Sequence, residues 1–354
     1  MKKISIDPEN IDDSLVQEVA EVISRGGIVA FPTGTVYGLG GRADKREVVE
    51  RLYELKQRPK DKPFSLALGS KTEAINRYFD ILPPFGYRVI EKFWPGPLTI
   101  VYHTPADQKI GLRVPANKIA NQILQELEMP ICLPSANISG QKEAVSASEV
   151  ESIFGDKIDL IVDGKCPSRS KPSTILDLTS KPFKVLREGE VSERDILKTF
   201  IKKRILFVCT GNSCRSPMAE FLLRKYLKQI RPYFNERYEV ISRGISAFPG
   251  TKATESVISI LKEQENIDAS SFHSQRLDKH TILSSDLIFT MEDVQRKYIL
   301  RFEPKTEGKV FSLSKFLPPE SEHDIHDPIG KGVQAYEQAY SSIKDAILEL
   351  RDWV

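Results

Sequence analysis

The stretch that most constrains this chain is Ile205-Leu206-Phe207-Val208-Cys209-Thr210-Gly211-Asn212-Ser213-Cys214-Arg215-Ser216-Pro217. The apolar burst Ile205–Val208 predicts a buried strand. Pro217, with Met218, Phe221, Leu222 and Tyr226 at helical spacing, predicts a helix running to Gln229. The residues between must turn sharply at a helix N-terminus, where several backbone N–H groups face one concavity suited to an anion. Gly211 relieves the tight backbone and Asn212 tolerates a left-handed conformation. Arg215 offers a planar fork for two oxygens of a phosphoryl group. The same positive field predicts a lowered pKa and a nucleophilic thiolate at Cys209, with the Ser216 hydroxyl placed to hydrogen-bond it.

Around this turn the second half alternates strand-like and helix-like periods. Tyr238–Ser242 and Leu287–Thr290 read as strands, and Thr254–Gln264 and Val333–Arg351 as helices. Such alternation implies α/β architecture, a doubly wound parallel sheet with its ligand at the carboxyl ends of the strands. The first half is also mixed. Gly27–Phe31, Phe64–Leu68, Leu98–His103 and Ile131–Leu133 read as strands and Arg46–Lys56 as a helix, which predicts a twisted open α/β sheet. A short polar helix, Ser192 to Ile201, followed by Lys202-Lys203-Arg204, reads as a linker. The expected domains are residues 1–200 and 203–354.

Composition narrows the function classes. A net charge of +2, from 51 basic and 49 acidic residues, gives no bulk argument for nucleic-acid binding. The cysteines Cys132, Cys166, Cys209 and Cys214 make neither a disulfide scaffold nor a C-x2-C zinc pair. His103, His273, His280, His323 and His326 have no ligand spacing, so no metal site is expected. No run approaches a membrane span, and the N-terminus has no apolar signal stretch, so a cytoplasmic address without membrane contact is expected.

The cysteine turn resembles the low-molecular-weight protein phosphatases, over essentially all of 203–354. The resemblance makes Cys209 the nucleophile, Arg215 and the loop Gly211, Asn212, Ser213 and Cys214 the phosphate cradle, and Ser216 the thiolate's partner. His326-Asp327-Pro328 matches the family's late Asp-Pro, which implies that Asp327 is general acid and then base. Asp324 is a rival without the proline. The implied partner is a phosphorylated protein, and the activity needs no cofactor. Ile329-Gly330 replaces the aromatic residues usual in tyrosine phosphatases, and Ser213 is small and polar, as in the protein-arginine phosphatases. Gly244–Pro249 resembles the pocket wall of the latter, with Phe248 as a candidate wall residue. An arsenate-reductase-like redox protein is the alternative, but its disulfide relay needs a cysteine after Cys214 and none follows. A reversible Cys209–Cys214 disulfide protecting the nucleophile is the role expected for Cys214.

In the first half the signal is spread over Phe31–Leu39, Lys56–Pro63, Trp94–Thr99, Arg113–Pro115, Ser135–Gly140 and Ser173-Thr174. In this order the segments resemble the threonylcarbamoyl-adenylate synthases, the YrdC-like fold, over about residues 10–190. That family joins threonine, bicarbonate and ATP into threonylcarbamoyl-AMP for N6-threonylcarbamoyladenosine in tRNA. The resemblance implies ATP contacts from Lys56, Arg58, Arg113, Ser135, Asn137, Ser139 and Arg187. It implies a threonine side lined by Thr33, Thr35, Tyr37 and Ser173. Mg²⁺ is expected to arrive with the nucleotide, held through its phosphates. tRNA or tRNA-modification proteins are the expected partners, and an RNA-binding module without synthase activity is the alternative. Gly34 stands where an acidic residue is common.

Overall fold

The computed structural model describes residues 2–127, 129–164, 171–181, 183–231, 233–318, 320–321 and 324–354. Cys166 and His323 lie outside these. The chain divides into two compact units, Met1–Leu82 with Arg88–Ile196, and Pro83–Tyr87 with Leu197–Val354.

The first unit is built on a mixed sheet. Its strands are β1 (Lys2–Ser5), β2 (Val29–Pro32), β3 (Tyr37–Arg42), β4 (Leu66–Ala67), β5 (Leu98–His103), β6 (Lys109–Arg113), β7 (Ile131–Cys132), β8 (Leu160–Asp163), β9 (Thr174–Asp177) and β10 (Lys184–Arg187). Among the described residues their order is β1-β8-β2-β3-β7-β4-β6-β5-β9-β10. The pleat of β2 shows why both faces are covered. Val29 and Phe31 pack with Val19, Ile23 and Ile123 from the helices Asp13–Ser24 and Lys118–Glu126. Ile28 and Ala30 pack with Val48, Leu52 and Val150 from Arg46–Lys56 and Ala147–Phe154 on the opposite face. The helix ends are set locally. The Asp12 carboxylate accepts from Ser14 N at 2.9 Å, and Gln57 closes Arg46–Lys56 in a left-handed conformation at φ 48°.

The second unit has four parallel strands among the described residues, β11 (Lys203–Cys209), β12 (Tyr238–Gly244), β13 (Leu287–Thr290) and β14 (Val310–Ser312), in the order β12-β11-β13-β14. Ile205 and Phe207 pack with Met218, Leu222 and Ile343 from the helices Arg215–Ile230 and Val333–Trp353. Leu206 and Val208 pack on the other face with Ile282 and Ile299, from Lys279–Ser284 and Asp293–Phe302. This is the doubly wound arrangement expected from the alternation. Phe207 is fully buried, so Phe207→Ala would cost roughly 3–5 kcal/mol. No described helix is long and apolar enough to cross a membrane.

Candidate active sites

In the second unit β11 ends at Cys209 and the next helix begins at Arg215, two residues before the proline that predicted it. The loop between them is held by its own side chains. Asn212 adopts φ 52°. Its Nδ2 donates to Ser216 Oγ at 2.9 Å and to Ser242 Oγ at 2.8 Å, while its Oδ1 accepts from Gln275 N at 2.8 Å. Ser242 donates in turn to Glu220 at 2.7 Å. Ser216 Oγ lies 2.9 Å from Cys209 Sγ, and Asn212 N donates to that sulfur at 3.2 Å. With the Ser216 oxygen accepting from Asn212, its own proton is available to the sulfur. Gly244 on β12 allows the close approach, because a Cβ there would meet Thr210 O at 2.7 Å and Asn212 N at 2.8 Å.

Arg215 is 1% exposed. It donates through one terminal nitrogen to Glu292 at 2.7 Å and to Ile325 O at 2.8 Å, and through the other to Asp327. Its Nε is buried and has no partner among the described residues. Asp324, the rival acid, accepts instead from Asp293 N at 2.8 Å. Ser213 and Cys214 sit in the same loop, and the Cys214 sulfur lies near Thr254 and Tyr336 hydroxyls, as a free thiol. Phe248 is 83% exposed and Ile329 52% exposed.

The lowered pKa expected at Cys209 is not found. Burial pushes the thiol up, against the pull of the Ser216 hydroxyl, its backbone N–H, Arg215 and Asn212 N. The guanidinium that was to stabilise a thiolate already shares its charge with two carboxylates.

The first unit brings most of its expected residues into one cleft. Thr33, Thr35, Tyr37, Arg58, Arg113, Ser135, Ser173 and Arg187 all line it. Among the described residues the lining has no carboxylate. Arg113 donates to Gly96 O at 3.0 Å and lies 3.5 Å from Thr35 Oγ1 and from Thr33 O. Arg187 donates to Ser173 O at 2.8 Å and 3.1 Å, and Ser173 Oγ is 3.1 Å from Thr99 Oγ1. Arg58 is held by Lys62 O and Pro63 O, with its guanidinium 5.3 Å from the Phe64 ring centroid. Burial and the charge of Arg187 hold Arg113 down to about 10; burial lowers Arg187 against the pull of Glu143, with a smaller push from Arg58. Like charges gathered without a counter-charge in the lining make a site for an anion.

Three expected residues, Lys56, Asn137 and Ser139, do not line the cleft. Lys56 is 2% exposed, and its ammonium donates to Ser135 O at 2.5 Å, Asn137 O at 2.8 Å and Asn137 Oδ1 at 2.9 Å. Ser139 N donates to Lys56 O at 2.8 Å, and Ser139 Oγ is buried without a partner among the described residues. Tyr37 lines the cleft, but its hydroxyl donates to Gly164 O at 2.8 Å. No group of three or more His, Cys, Asp or Glu among the described residues is arranged to hold a metal.

Sequence reasoning missed Glu292, Gln295, Ser242 and Glu220. Glu292 and Gln295 form a capping box at the helix Asp293–Phe302, which a strand followed by Glu-x-x-Gln signals. Ser242 and Glu220 carried no such signal, because β12 brings Ser242 and the helix Arg215–Ile230 brings Glu220 behind the loop only once the sheet and helix are packed.

The Sua5/YciO/YrdC family model, described as "Telomere recombination", matches residues 21–189, and the model described as "Low molecular weight phosphotyrosine protein phosphatase" matches residues 204–353. The threonylcarbamoyl-AMP synthase of Vibrio vulnificus is 31% identical over 187 residues, covering 50% of this chain and 99% of that protein. The chain belongs to this synthase family and carries a low-molecular-weight phosphatase domain behind it. The Pyrococcus abyssi threonylcarbamoyl-AMP synthase is 36% identical over 214 residues, 58% of this chain. The chain spans 63% of the length of that relative and 58% of a Bacillus subtilis one. The crystal structure of P. abyssi Sua5 complexed with L-threonine shares the fold, with a TM-score of 0.54 at 24% identity over 80% of this chain and 95% of that one.

Proposed function

We propose that the first unit condenses threonine, bicarbonate and ATP into L-threonylcarbamoyl-AMP, for N6-threonylcarbamoyladenosine in tRNA. The observation that carries this reading is the convergence of Arg58, Arg113 and Arg187 on a cleft lined by hydroxyls, with no carboxylate among its described lining residues. Threonine's amine and bicarbonate form a carbamate with loss of water. A carbamate oxygen attacks the α-phosphorus, and the bond to the bridging oxygen breaks to release pyrophosphate. The arginines neutralise the charge that builds on the leaving pyrophosphate. Thr33, Thr35 and Ser173 offer hydroxyls to a small polar substrate. With no carboxylate among the described lining residues, Mg²⁺ would ride on the nucleotide, where it shields phosphate charge. The test is incubation with labelled threonine, bicarbonate and ATP. Label in a mixed anhydride with AMP, with equimolar pyrophosphate, supports the reading; no ATP-to-pyrophosphate turnover with RNA binding retained favours an RNA-binding module.

For the second unit we infer a protein phosphatase working through phosphocysteine, with phosphoarginine as the favoured substrate. Once Cys209 has lost its proton to solvent, its thiolate attacks phosphorus as the P–N bond breaks, and Asp327 gives its proton to the departing guanidine nitrogen. Asp327 then takes a proton from water, whose oxygen displaces the sulfur and releases inorganic phosphate. Arg215 lets go of Asp327 but keeps Glu292 as it grips the phosphoryl oxygens. The small Ser213 and the absence of aromatics after Pro328 support arginine; the exposed Phe248, able to flank a phenyl ring, keeps phosphotyrosine as the second reading. Matched phosphoarginine and phosphotyrosine peptides decide between them by kcat/KM. If Ser213→Ile leaves the preference unchanged, the pocket-size argument fails. A cytoplasmic site of action fits both activities.

A further inference from the structure

Lys56 and Arg58, separated only by Gln57, read in the sequence as a pair of cations for ATP phosphates, yet the fold separates their tasks. An ammonium has three N–H donors and no more. In Lys56 all three have acceptors: Ser135 O, Asn137 O and Asn137 Oδ1. The group is 2% exposed and absent from the cleft lining, whereas Arg58 is part of it. Its acceptors belong to one loop, which is pinned a second time where Ser139 N donates to the backbone carbonyl of Lys56 itself. Within that loop Ser135 Oγ donates to Asn137 Oδ1 at 2.7 Å, and Asn137 Nδ2 donates to Gln141 O at 2.7 Å. The amide orientation of Asn137 is thereby fixed from both ends, and Ser135 is delivered to the cleft wall.

Resting on the synthase reading, we propose that Lys56 is a positioning residue that ties the Ser135–Gln141 loop to the helix Arg46–Lys56, and that phosphate binding falls to Arg58, Arg113 and Arg187 without it. A lysine that gripped phosphate would need to release at least one loop acceptor, leaving a carbonyl or amide oxygen buried and unpaired. The arginines line the cleft and need no such exchange.

The first test uses the unaltered full chain and an acyl phosphate of ATP, which passes its acyl group to any amine touching the triphosphate. Peptide mapping should leave Lys56 unmodified at probe concentrations that inorganic pyrophosphate competes away. Acylation of Lys56 that pyrophosphate prevents would overturn the proposal. A second test compares pyrophosphate affinity in two variants by calorimetry. Arg58→Gln should weaken it by tenfold or more. Lys56→Gln should weaken it less than threefold, while amide exchange over 135–141 accelerates at least tenfold. Equal losses of pyrophosphate affinity in the two variants would make Lys56 a phosphate ligand. A wild-type chain that binds no pyrophosphate would instead sink the synthase reading, which keeps the two failures apart.

Discussion

Glu292 accepts a hydrogen bond from Arg215 at 2.7 Å across 77 residues of sequence, and the same carboxylate accepts from Gln295 at 2.7 Å. The cap of one helix therefore orients the guanidinium at the start of another. Asp327 holds the opposite terminal nitrogen. Of the two carboxylates, Glu292 is the more enclosed, at 21% side-chain exposure against 37% for Asp327. An incoming phosphoryl group is thus expected to displace Asp327, freeing it for proton transfer, while Glu292 keeps the fork aligned. Glu292→Gln keeps a neutral acceptor but loses the charge. It should lower kcat/KM for an aryl phosphate by about 10–100-fold, or about 1.4–2.7 kcal/mol of transition-state stabilisation. Steady-state kinetics checks this; an unchanged kcat/KM would mean that Asp327 alone suffices.

Ser216→Ala tests the sulfur's environment. Burial raises the Cys209 pKa and the Ser216 hydroxyl is the largest opposing influence. Removing it takes a donor from the thiolate, so the pKa should climb further. The fraction of thiolate at neutral pH then falls, and the pH profile of iodoacetamide inactivation should move to higher pH. Phosphatase kcat should drop by roughly 10²-fold, the order seen on losing one donor to a developing or departing anion. A profile that stayed in place would show that the hydroxyl does not reach the sulfur in solution.

How much of this was open to a reader of the sequence depends on how local each device is. The cysteine turn was legible because strand, loop, arginine and helix fall within thirteen residues and each has a distinct residue preference. The helix Arg46–Lys56 and the strands Leu98–His103 and Leu287–Thr290 stand where periodicity placed them. Two-residue strands such as Leu66–Ala67 and Ile131–Cys132 are shorter than the extended runs that signalled them, since pairing partners set their ends. The arginine cleft is assembled from segments more than a hundred residues apart, so its residues were reachable only through family resemblance. The fate of Lys56 was illegible: a cation near a helix end reads as exposed, and only the fold shows the three acceptors waiting for it.

Arg187 should show a conflict between binding and stability. Its charge helps hold Arg113 below the ordinary guanidinium range, so the two repel when the cleft contains no anion. Arg187→Met removes that repulsion at the cost of its bonds to Ser173. Pyrophosphate affinity should fall by tenfold or more, while the melting temperature of the first unit stays level or rises by about 1–3 °C. Calorimetry with and without ligand checks both. A fall of several degrees without ligand would mean that the Ser173 contacts outweigh the repulsion.

Lys56 makes a prediction about pH whose sign can be fixed in advance. Burial, with the charge of Arg58, lowers its pKa from 10.5 to about 8. Between those two values the unfolded chain binds more protons at this site than the folded one, so stability rises with pH across that window. At pH 9.5 the gain relative to pH 7.5 should approach about 2 kcal/mol from this group. Other groups titrate too, so the quantity to measure is the difference between the wild-type chain and Lys56→Met, by denaturant unfolding of the first unit at both pH values. The wild type should gain on the variant as pH rises, even though the variant is less stable throughout for want of donors to Ser135 and Asn137. If the difference is flat from pH 7.5 to 9.5, the ammonium keeps its ordinary affinity for its proton, and its three acceptors repay the whole cost of its burial.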